Sequence, residues 1–520
     1  TIHKPKGEIK MKHLHFTGRL ACLLCALLLV LGLAACKGNG HPEADTSPAG
    51  TGGESDTGTP SETDKWGQEI QTPGLPEDLY YGNGESITIV TRPRTVWTRE
   101  WGVDAPSDNL GYQIYARNMA VETQLGVKLK FVTRNEFTGT ALSDYVYASY
   151  LADLGEMDVV CGSAYFQTAA AIKTCFTNLH DRSKVRYMDL DKVYWNQSYI
   201  DAATLYDNLY YIVGDVNLSA WDRMLVLFAN VNQLEEIGEG GIMDTVLDGN
   251  WTFETMLEII KKKPYTEIDG MEGPTDGDGY AFYSYFVSQA LDGFQTAFDL
   301  HILTNEEDGS LALNIAGNQK LSDAATLIYN FYNDNEEVYG MNNSNDATMV
   351  AFVEGRAMFE VNCLYGEPSV HSSLRDMTDT YVVLPLPMYD SQQEEYFTTL
   401  QDTYNLMSIM DCSSTDQAMV SAVLELMCAK SYENVRPYYV EQHIKGVYLK
   451  EAQNVQIMEL ILDSVEFDPA VIYSSQLENL RNVTWRPAAQ KGSSIFTLYE
   501  SIEESVNSAL DEMLTWYMTS

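Results

Sequence analysis

The feature that most limits the possible folds of this chain is an alternation of strand and helix patterns that begins at Ser86. Residues 86–90 alternate apolar and polar side chains, as a half-buried strand does. The next segments are predicted as helix, strand, helix and strand in turn: residues 112–125, 127–132, 138–154 and 157–161. This alternation predicts a parallel α/β sheet with helices on its faces. Because ligands bind beyond the carboxyl ends of strands in such sheets, residues 163–166 are a candidate rim.

The rest of the chain adds further strands and a mostly helical last third. Strand patterns cover residues 209–213, 224–229, 280–286, 352–361 and 381–387. Helical patterns cover residues 251–262 after an Asn250 cap, 321–333, 416–431 and 495–517. About 445 residues lie beyond residue 75, which is too many for one ordinary core, so two lobes are expected.

The first 36 residues have the layout of a secretory signal. Lys12 and Arg19 precede an apolar run over residues 20–33, which is shorter than the roughly 20 residues that a membrane span needs. The run ends in Leu-Ala-Ala-Cys, which resembles a lipobox, so Cys36 is the expected site of lipid attachment. Residues 1–10 precede a natural start at Met11 and are left out of the fold argument.

Residues 37–75 are predicted to form a flexible tether, because they are rich in Gly, Ser, Thr, Pro and acidic residues and have few large apolar side chains. The whole chain carries 33 basic and 74 acidic residues, a net charge of −41. Such a charge repels phosphate backbones, so nucleic acid is not an expected partner. It also disfavours an acidic ligand unless the protein has a local basic pocket, which leaves neutral ligands as the simplest expectation.

The cysteines and the acidic turns do not predict a metal site or a cofactor. Five cysteines remain after the signal: Cys161, Cys175, Cys363, Cys412 and Cys428. They lack metal-ligand spacing, and most lie in apolar runs, which favours buried thiols; one disulfide is the alternative. The turn over residues 276–279 lacks the ligand pattern of an EF-hand calcium loop and is expected to be a plain turn.

Several segments, in order along the chain, resemble the family 1 extracellular solute-binding proteins, the sugar-binding components of ABC importers. The matching segments are residues 157–160 with 176–179, 225–232, 251–254, 276–282 and 352–359, the last reading Phe-Val-Glu-Gly-Arg-Ala-Met-Phe. The resemblance implies a two-lobed, periplasmic-binding-protein-like (Venus flytrap) α/β fold of class II type, with chain crossings between the lobes. Lobe 1 is expected over residues 76–222 and 398–455, and lobe 2 over residues 223–397 and 456–520.

A sugar site needs aromatic rings for stacking and carboxylates, amides or arginines for hydrogen bonds. Residues of these types that follow strands or flank the expected crossings are the candidate ligand contacts: Trp97, Tyr165, Phe166, Trp221, Asp222, Arg223, Tyr283, Tyr285, Asn362, Tyr365, Asp402, Tyr404, Trp485 and Arg486.

The predicted function is therefore the capture of a carbohydrate, with an oligosaccharide favoured. The protein is expected to be a monomer that is lipid-anchored on the extracytoplasmic face of a bacterial cell membrane. It is expected to deliver its ligand to an ABC importer permease. A binding protein for peptides or other polar solutes is an alternative. A secreted glycosidase is a further one, since its two carboxylates leave no sequence motif. A zinc-protease helix, a serine-hydrolase elbow and a phosphate loop are absent from the sequence, so the chain is not expected to be an enzyme.

Overall fold

The computed structural model describes residues 71–520, except for residues 83, 172–173, 343–344, 366–373, 375 and 446–451. The predicted signal, the lipidation site Cys36 and residues 37–70 of the predicted tether lie outside the described residues. Residues Ser61–Ser520 form one compact unit, which contains the hydrophobic core. In the described part of the chain, no helix is both long and apolar enough to cross a membrane.

Eleven strands are found in the described residues, and we number them in chain order: β1 Ser86–Thr91, β2 Lys128–Thr133, β3 Val159–Ser163, β4 Leu225–Asn230, β5 Tyr280–Tyr285, β6 Leu303–Asn305, β7 Leu311–Leu313, β8 Val338–Met341, β9 Ala357–Cys363, β10 Tyr381–Leu384 and β11 Asn405–Ile409.

The α-helices span Thr95–Thr98, Asn109–Leu125, Ala141–Ala152, Ala164–Ala171, Gln197–Ala203, Leu218–Asp222, Val231–Glu236, Ile242–Leu247, Phe253–Ile260, Gln289–Ala297, Gln319–Asn333, Asn345–Val353, Gln417–Lys430, Arg436–Lys445, Ala452–Asp463, Pro469–Ile472, Leu480–Val483, Trp485–Lys491, Ile495–Glu500 and Glu503–Thr519. A 3-10 turn spans Asn135–Thr138, and a π-helical turn spans Ser431–Val435.

The first sheet has the strand order β11-β3-β1-β2. Strand β1 is parallel to both β2 and β3, with Ile89 opposite Phe131 on one side and Val159 on the other. The predicted parallel α/β sheet is therefore confirmed for these three strands. Strand β11 comes from more than 240 residues further along the chain and pairs antiparallel with β3, with Met407 opposite Cys161.

The second sheet is mixed and has the strand order β10-β4-β9-β5-β8. Strand β4 pairs antiparallel with β10 and β9, whereas β5 is parallel to β9 and β8. Strand β4 is fully buried, which explains its run of apolar side chains over residues 225–229. Strands β6 and β7 form a separate antiparallel pair.

Four secondary-structure predictions are wrong. Residues 209–213 form only one isolated bridge, because the Leu209 backbone pairs with loop residues and not with a neighbouring strand. Residues 352–361 are the end of a helix and the start of β9, separated at Gly355, whose φ of 74° favours glycine. Residues 495–517 are two helices, which are interrupted at residues 501–502. The cap of the helix Phe253–Ile260 is Thr252 rather than Asn250.

Three chain segments run side by side between the two sheets, and we call them the crossing segments: residues 223–225, 398–401 and 464–466. The first two are antiparallel, with the Leu225 N–H donating to the Thr399 carbonyl oxygen at 2.9 Å. The third is parallel to the second, and the Thr398 N–H donates to the Ser464 carbonyl oxygen at 2.8 Å. The fold is thus the expected two-lobed α/β type with chain crossings. The exact lobe boundaries stay a prediction, since the last helix also contacts Tyr211 through Tyr517.

Most of the large aromatic residues are in the core. Trp101, Trp195, Trp251 and Trp485 are fully buried. Of the five cysteines beyond residue 36, Cys412 is partly exposed and the other four are buried, as predicted from their apolar surroundings.

Candidate ligand-binding site at the lobe crossings

An arginine–tryptophan stack lies where the first sheet meets the crossing segments. It consists of Arg92, Trp97 and Arg223, and both guanidinium groups face the Trp97 ring, at 3.7 Å (Arg92) and 4.5 Å (Arg223) from its centroid. Arg92 directly follows β1, and Arg223 begins the first crossing segment. Both contacts are in the range of a cation–π interaction. The predicted site residues Trp97 and Arg223 are therefore brought together, but Trp97 is only 6% exposed and its ring is already used by arginines.

A buried polar network fixes the base of this stack. Arg92 donates from Nε and Nη2 to Asn405 Oδ1, at 2.9 and 2.7 Å, and Asn405 Nδ2 donates to Glu100 Oε1 at 2.5 Å. Glu100 also accepts the Ser219 N–H at 2.8 Å. Burial raises the pKa of Glu100 to about 7, against the lowering effect of these hydrogen bonds. Burial lowers the pKa of Arg92 to about 9, and the nearby cations Arg223 and Arg94 lower it further, although Glu100 and Asp402 oppose this effect.

Asp222 forms a second group beside the stack. It accepts hydrogen bonds from Arg99 and, at 2.9 Å, from the Tyr439 hydroxyl. The Arg99 guanidinium lies 4.4 Å from the Tyr365 ring centroid, and the Tyr365 N–H donates to the Asp222 carbonyl oxygen at 3.0 Å. Burial acts to lower the pKa of Arg99, but Asp222, Tyr439 and Tyr365 together outweigh that effect and raise it. The predicted residues Asp222 and Tyr365 thus lie together, with Asp222 neutralised by its partner.

The Asp292 cluster forms a third group and contains Asp292, Arg481 and Arg486. Arg486 binds Asp292 with two parallel hydrogen bonds of 2.9 and 2.6 Å, and Arg481 Nη2 lies 3.1 Å from Asp292 Oδ2. Asp402 lies near this cluster and also near Arg92, so it connects the cluster with the stack. Burial raises the pKa of Asp402, and the neighbouring arginines act in the opposite direction.

Other predicted residues lie at the edges of these groups and are partly exposed. The Tyr165 N–H donates to the Asp402 carbonyl oxygen at 3.2 Å, and the Phe166 ring packs edge-on against Tyr165 at 4.9 Å. Tyr285 interacts electrostatically with Arg486 and raises the pKa of its guanidinium group. Trp221 packs against the Tyr439 ring, with 6.2 Å between the ring centroids.

Four predicted residues lie in the protein interior, where protein atoms surround them. The Tyr283 hydroxyl donates to the Asp276 carbonyl oxygen, and the Asn362 amide donates to Glu360 at 2.9 Å. Trp485 Nε1 donates to the Leu291 carbonyl oxygen at 2.8 Å, and the Tyr404 ring packs against Phe467. Tyr283, Asn362, Tyr404 and Trp485 are all buried, and their role as ligand contacts stays a prediction.

The sequence prediction did not include Arg92, Asp292, Arg481 and Asn405. The position of Arg92 directly beyond the carboxyl end of β1 is a signal that could have found it. Asp292, Arg481 and Asn405 have no comparable local signal, because their partners are distant in the sequence: Arg92 and Asn405 are 313 residues apart.

A separate, solvent-connected cavity of about 110 Å³ lies behind the first crossing segment. Its lining includes Trp221, Asp215 and Arg436 together with apolar side chains such as Val213 and Phe467. Asp215 forms an ion pair with Arg436 at 3.6 Å, and burial raises its pKa to about 6 against the effect of Arg436. Of the predicted site residues, only Trp221 lines this cavity. We therefore place the candidate site at the stack, where the polar groups of both lobes converge.

No family model and no curated protein matches the sequence. Solved structures do match the fold. The cyclic α-maltosyl-1,6-maltose binding protein from Arthrobacter globiformis is 12% identical, with a TM-score of 0.53, and the match covers 82% of this chain and 99% of that one. An ABC substrate-binding protein from Listeria monocytogenes in complex with cycloalternan is 13% identical, with a TM-score of 0.51, over 82% and 100% of the two chains. UgpB from Mycobacterium tuberculosis in complex with glycerophosphocholine is 13% identical, with a TM-score of 0.50, over 83% and 100%.

The structural neighbours of this chain are thus ABC transporter solute-binding proteins, and they are binding proteins rather than enzymes. The chain has their two-lobed fold, and the match extends over nearly the full length of each neighbour. At this low identity, the likeness establishes the fold and not the ligand.

Proposed function

We propose that this protein is an extracytoplasmic solute-binding protein of an ABC importer and that it captures a carbohydrate between its two lobes. The convergence of polar and aromatic side chains on the crossing segments carries this proposal. Arg92 and Trp97 follow strand β1, and Arg223 comes from a crossing segment. Asp292 comes from a helix packed on the second sheet, and Arg486 from a helix that packs against that one. A ligand held by these groups would contact both lobes at once.

The mechanism follows from the position of the site. The three crossing segments are short and adjacent, so small backbone rotations within them would separate or close the lobes. A ligand that contacts both lobes binds the closed form more strongly than the open form and therefore shifts the population toward closure. The closed form is the state that would be presented to the permease.

The carboxylates at the site favour binding over glycoside hydrolysis. A glycosidase needs one carboxylic acid and one carboxylate that both face the substrate. Asp222 and Asp292 are instead engaged by arginines, and Glu100 accepts two hydrogen bonds from the protein. We therefore propose that the protein does not turn its ligand over.

The N-terminal sequence supports the proposed location. A signal that ends in the lipobox-like sequence before Cys36, followed by a polar tether, would anchor the protein by lipid to the extracytoplasmic face of a bacterial membrane. We propose that it acts there as a monomer next to its permease. Labelling of living cells with a palmitate analogue would test the anchor, since wild type and not Cys36→Ala should take up the label.

The function is tested by a thermal-shift screen of the Ser61–Ser520 unit against sugars, oligosaccharides, polyols and peptides. A ligand at 100 times its dissociation constant should add about 2.7 kcal/mol to the free energy of unfolding. We expect a shift with a carbohydrate that chromatography recovers unchanged. A response to peptides alone, or consumption of a glycan, would contradict the proposal. X-ray scattering should also show compaction at saturating ligand, and unchanged dimensions would refute the closure mechanism.

A further inference from the structure

The site at the lobe crossings is rich in arginine, although the chain as a whole is strongly acidic. Only 33 of its residues are basic, against 74 acidic ones. The stack nevertheless places Arg92 and Arg223 on one indole ring, and the Asp292 cluster adds Arg481 and Arg486 nearby. A concentration of cations in an acidic protein is costly unless something compensates their charge, because like charges repel and burial removes their hydration.

The protein itself compensates only some of these arginines. Asp292 neutralises part of the charge of Arg481 and Arg486, and Asp222 pairs with Arg99. Arg92 donates only to neutral oxygens, namely Asn405 Oδ1 and the Thr403 carbonyl. Among the described residues, neither Arg92 nor Arg223 forms an ion pair with a carboxylate.

Arg223 is the clearest example of an arginine whose charge the protein does not compensate, because it is 92% buried and one of its hydrogen-bond donors has no partner among the described residues. It is 8% exposed, and its Nε–H is buried without a hydrogen-bond partner in the described part of the chain. Its neighbours are the Trp97 ring and the Cys363 thiol, which cannot neutralise a positive charge in the way a carboxylate does. A buried guanidinium without a carboxylate partner is the usual means by which proteins hold carboxylates, sulfates and phosphates.

Asp402 is a buried carboxyl group that interacts electrostatically with both groups of arginines. It faces Arg481, Arg486 and Arg92 together, and burial disfavours its charged form. Glu100 also acts on Arg92, and Asp468 acts on Arg481, but burial disfavours the charged forms of these two carboxyl groups as well. Glu100, at the base of the stack, accepts hydrogen bonds from Asn405 and Ser219 rather than from an arginine.

We infer, on the basis of the function proposed above, that the ligand is an anionic polyhydroxy compound, a sugar or sugar-like polyol that bears a carboxylate, sulfate or phosphate, and that Arg92 and Arg223 bind this group. Trp97 then acts as a positioning residue, which holds both guanidinium groups in place against its ring. The exposed edges of Tyr165, Tyr285 and Tyr365 remain for contact with the sugar rings. The net charge of the chain favours a neutral ligand, but the arginines at the site favour an acidic one.

The test compares charged and neutral members of matched pairs by isothermal titration with the Ser61–Ser520 unit. The probes are oligogalacturonides against galacto-oligosaccharides, sulfated against desulfated chondroitin oligosaccharides, and glucose 6-phosphate and glycerol 3-phosphate against glucose and glycerol. We expect one charged series to bind, its neutral partners to bind at least tenfold more weakly, and added sodium chloride to reduce the affinity. The three arms distinguish carboxylate, sulfate and phosphate.

Two substitutions and a matched control connect the binding to Arg223. Arg223→Gln should weaken binding of the charged probe by about 10- to 100-fold, since it removes a charge-assisted hydrogen bond. Arg223→Lys, which keeps the charge and loses the planar donor set, should give an intermediate affinity and provides the answer if the glutamine variant does not fold. Arg356→Gln, which removes a guanidinium paired with Glu354 away from the crossings, should bind like wild type.

Two results would overturn the inference in different ways. If a neutral sugar binds, and Arg223→Gln changes its affinity less than twofold, the anionic ligand is refuted and the sugar-binding function stands. If neither charged nor neutral carbohydrates bind while peptides do, the proposed function fails, and the inference that rests on it fails as well.

Discussion

Glu360 is a fully buried carboxyl group in β9, and it makes the stability of the protein depend on pH. Its Oε1 accepts hydrogen bonds from Thr348 at 2.5 Å and from Asn362 at 2.9 Å. Its Oε2 is buried and has no hydrogen-bond partner in the described part of the chain. Burial raises the pKa of Glu360 from 4.5 to about 8, although the two hydrogen bonds oppose this effect. The protonated form is therefore the one that suits the folded protein.

The substitution Glu360→Gln reproduces that protonated form, because the amide oxygen can accept the same two bonds and the amide nitrogen replaces the unpaired Oε2. In the wild type, the folded-state pKa lies above the unfolded one, so the stabilising contribution is complete below about pH 4.5 and is lost as the pH rises toward 8. Since each pKa unit corresponds to about 1.4 kcal/mol, raising the pH from about 5 to about 7 should cost the wild type roughly 2.5 kcal/mol through this group. The glutamine variant should not show this loss.

Urea unfolding of the Ser61–Ser520 unit, followed by circular dichroism at both pH values, measures the effect. The free energy of unfolding of Glu360→Gln minus that of wild type should increase by about 2.5 kcal/mol between the two pH values. Glu258→Gln, at an exposed helical position, is the control and should follow the pH dependence of wild type. If Glu360→Gln also follows wild type, Glu360 does not gain its proton on folding, and the reasoning from burial is wrong.

Two further predictions concern stability. Trp485→Phe should lower the free energy of unfolding by about 1–3 kcal/mol, because the carbonyl of Leu291 would lose its buried 2.8 Å hydrogen bond; an unchanged melting temperature would show that water replaces the indole. Asp416→Ala should cost about 1 kcal/mol, because Asp416 caps its helix by accepting the Met419 N–H at 3.0 Å. Asp416→Asn, which keeps the cap, should melt close to wild type, and equal losses in both variants would argue against capping.

Much of the first sheet could be predicted from the sequence, because its signals are local. Strands β1, β2 and β3 and the helices between them follow hydrophobic periodicity within short windows, and Gly126 marks a helix end through its left-handed conformation. The N-terminal signal, the lipobox-like sequence and the tether are also properties of consecutive residues. These predictions need no knowledge of which distant segments meet.

Where strand and helix predictions failed, the deciding contacts were not local. Residues 209–213 have the composition of a strand, but only Ile212 pairs with a strand residue, Met407 of β11, and the backbone of Leu209 pairs with loop atoms. Tyr283 lies on an alternating aromatic strand, and from the sequence alone its side chain fits a binding face as well as the core. Only the structure shows that its ring packs against Tyr280 and Tyr339. Periodicity identifies which side chains share a face, and it does not say whether that face meets solvent, a ligand or the core.

The sequence by itself determined the order of elements, the expected two-lobed class and several residues beside the crossings, including Trp97, Asp222, Arg223, Asp402 and Arg486. Only the tertiary structure decided how their charges are paired. Arg92 meets Asn405, and Asp292 meets Arg486 194 residues away, because the chain crosses between the lobes and returns. Charge pairing depends on distance in space, so the Arg223 guanidinium, which has no carboxylate partner among the described residues, became visible only when the fold brought these segments together.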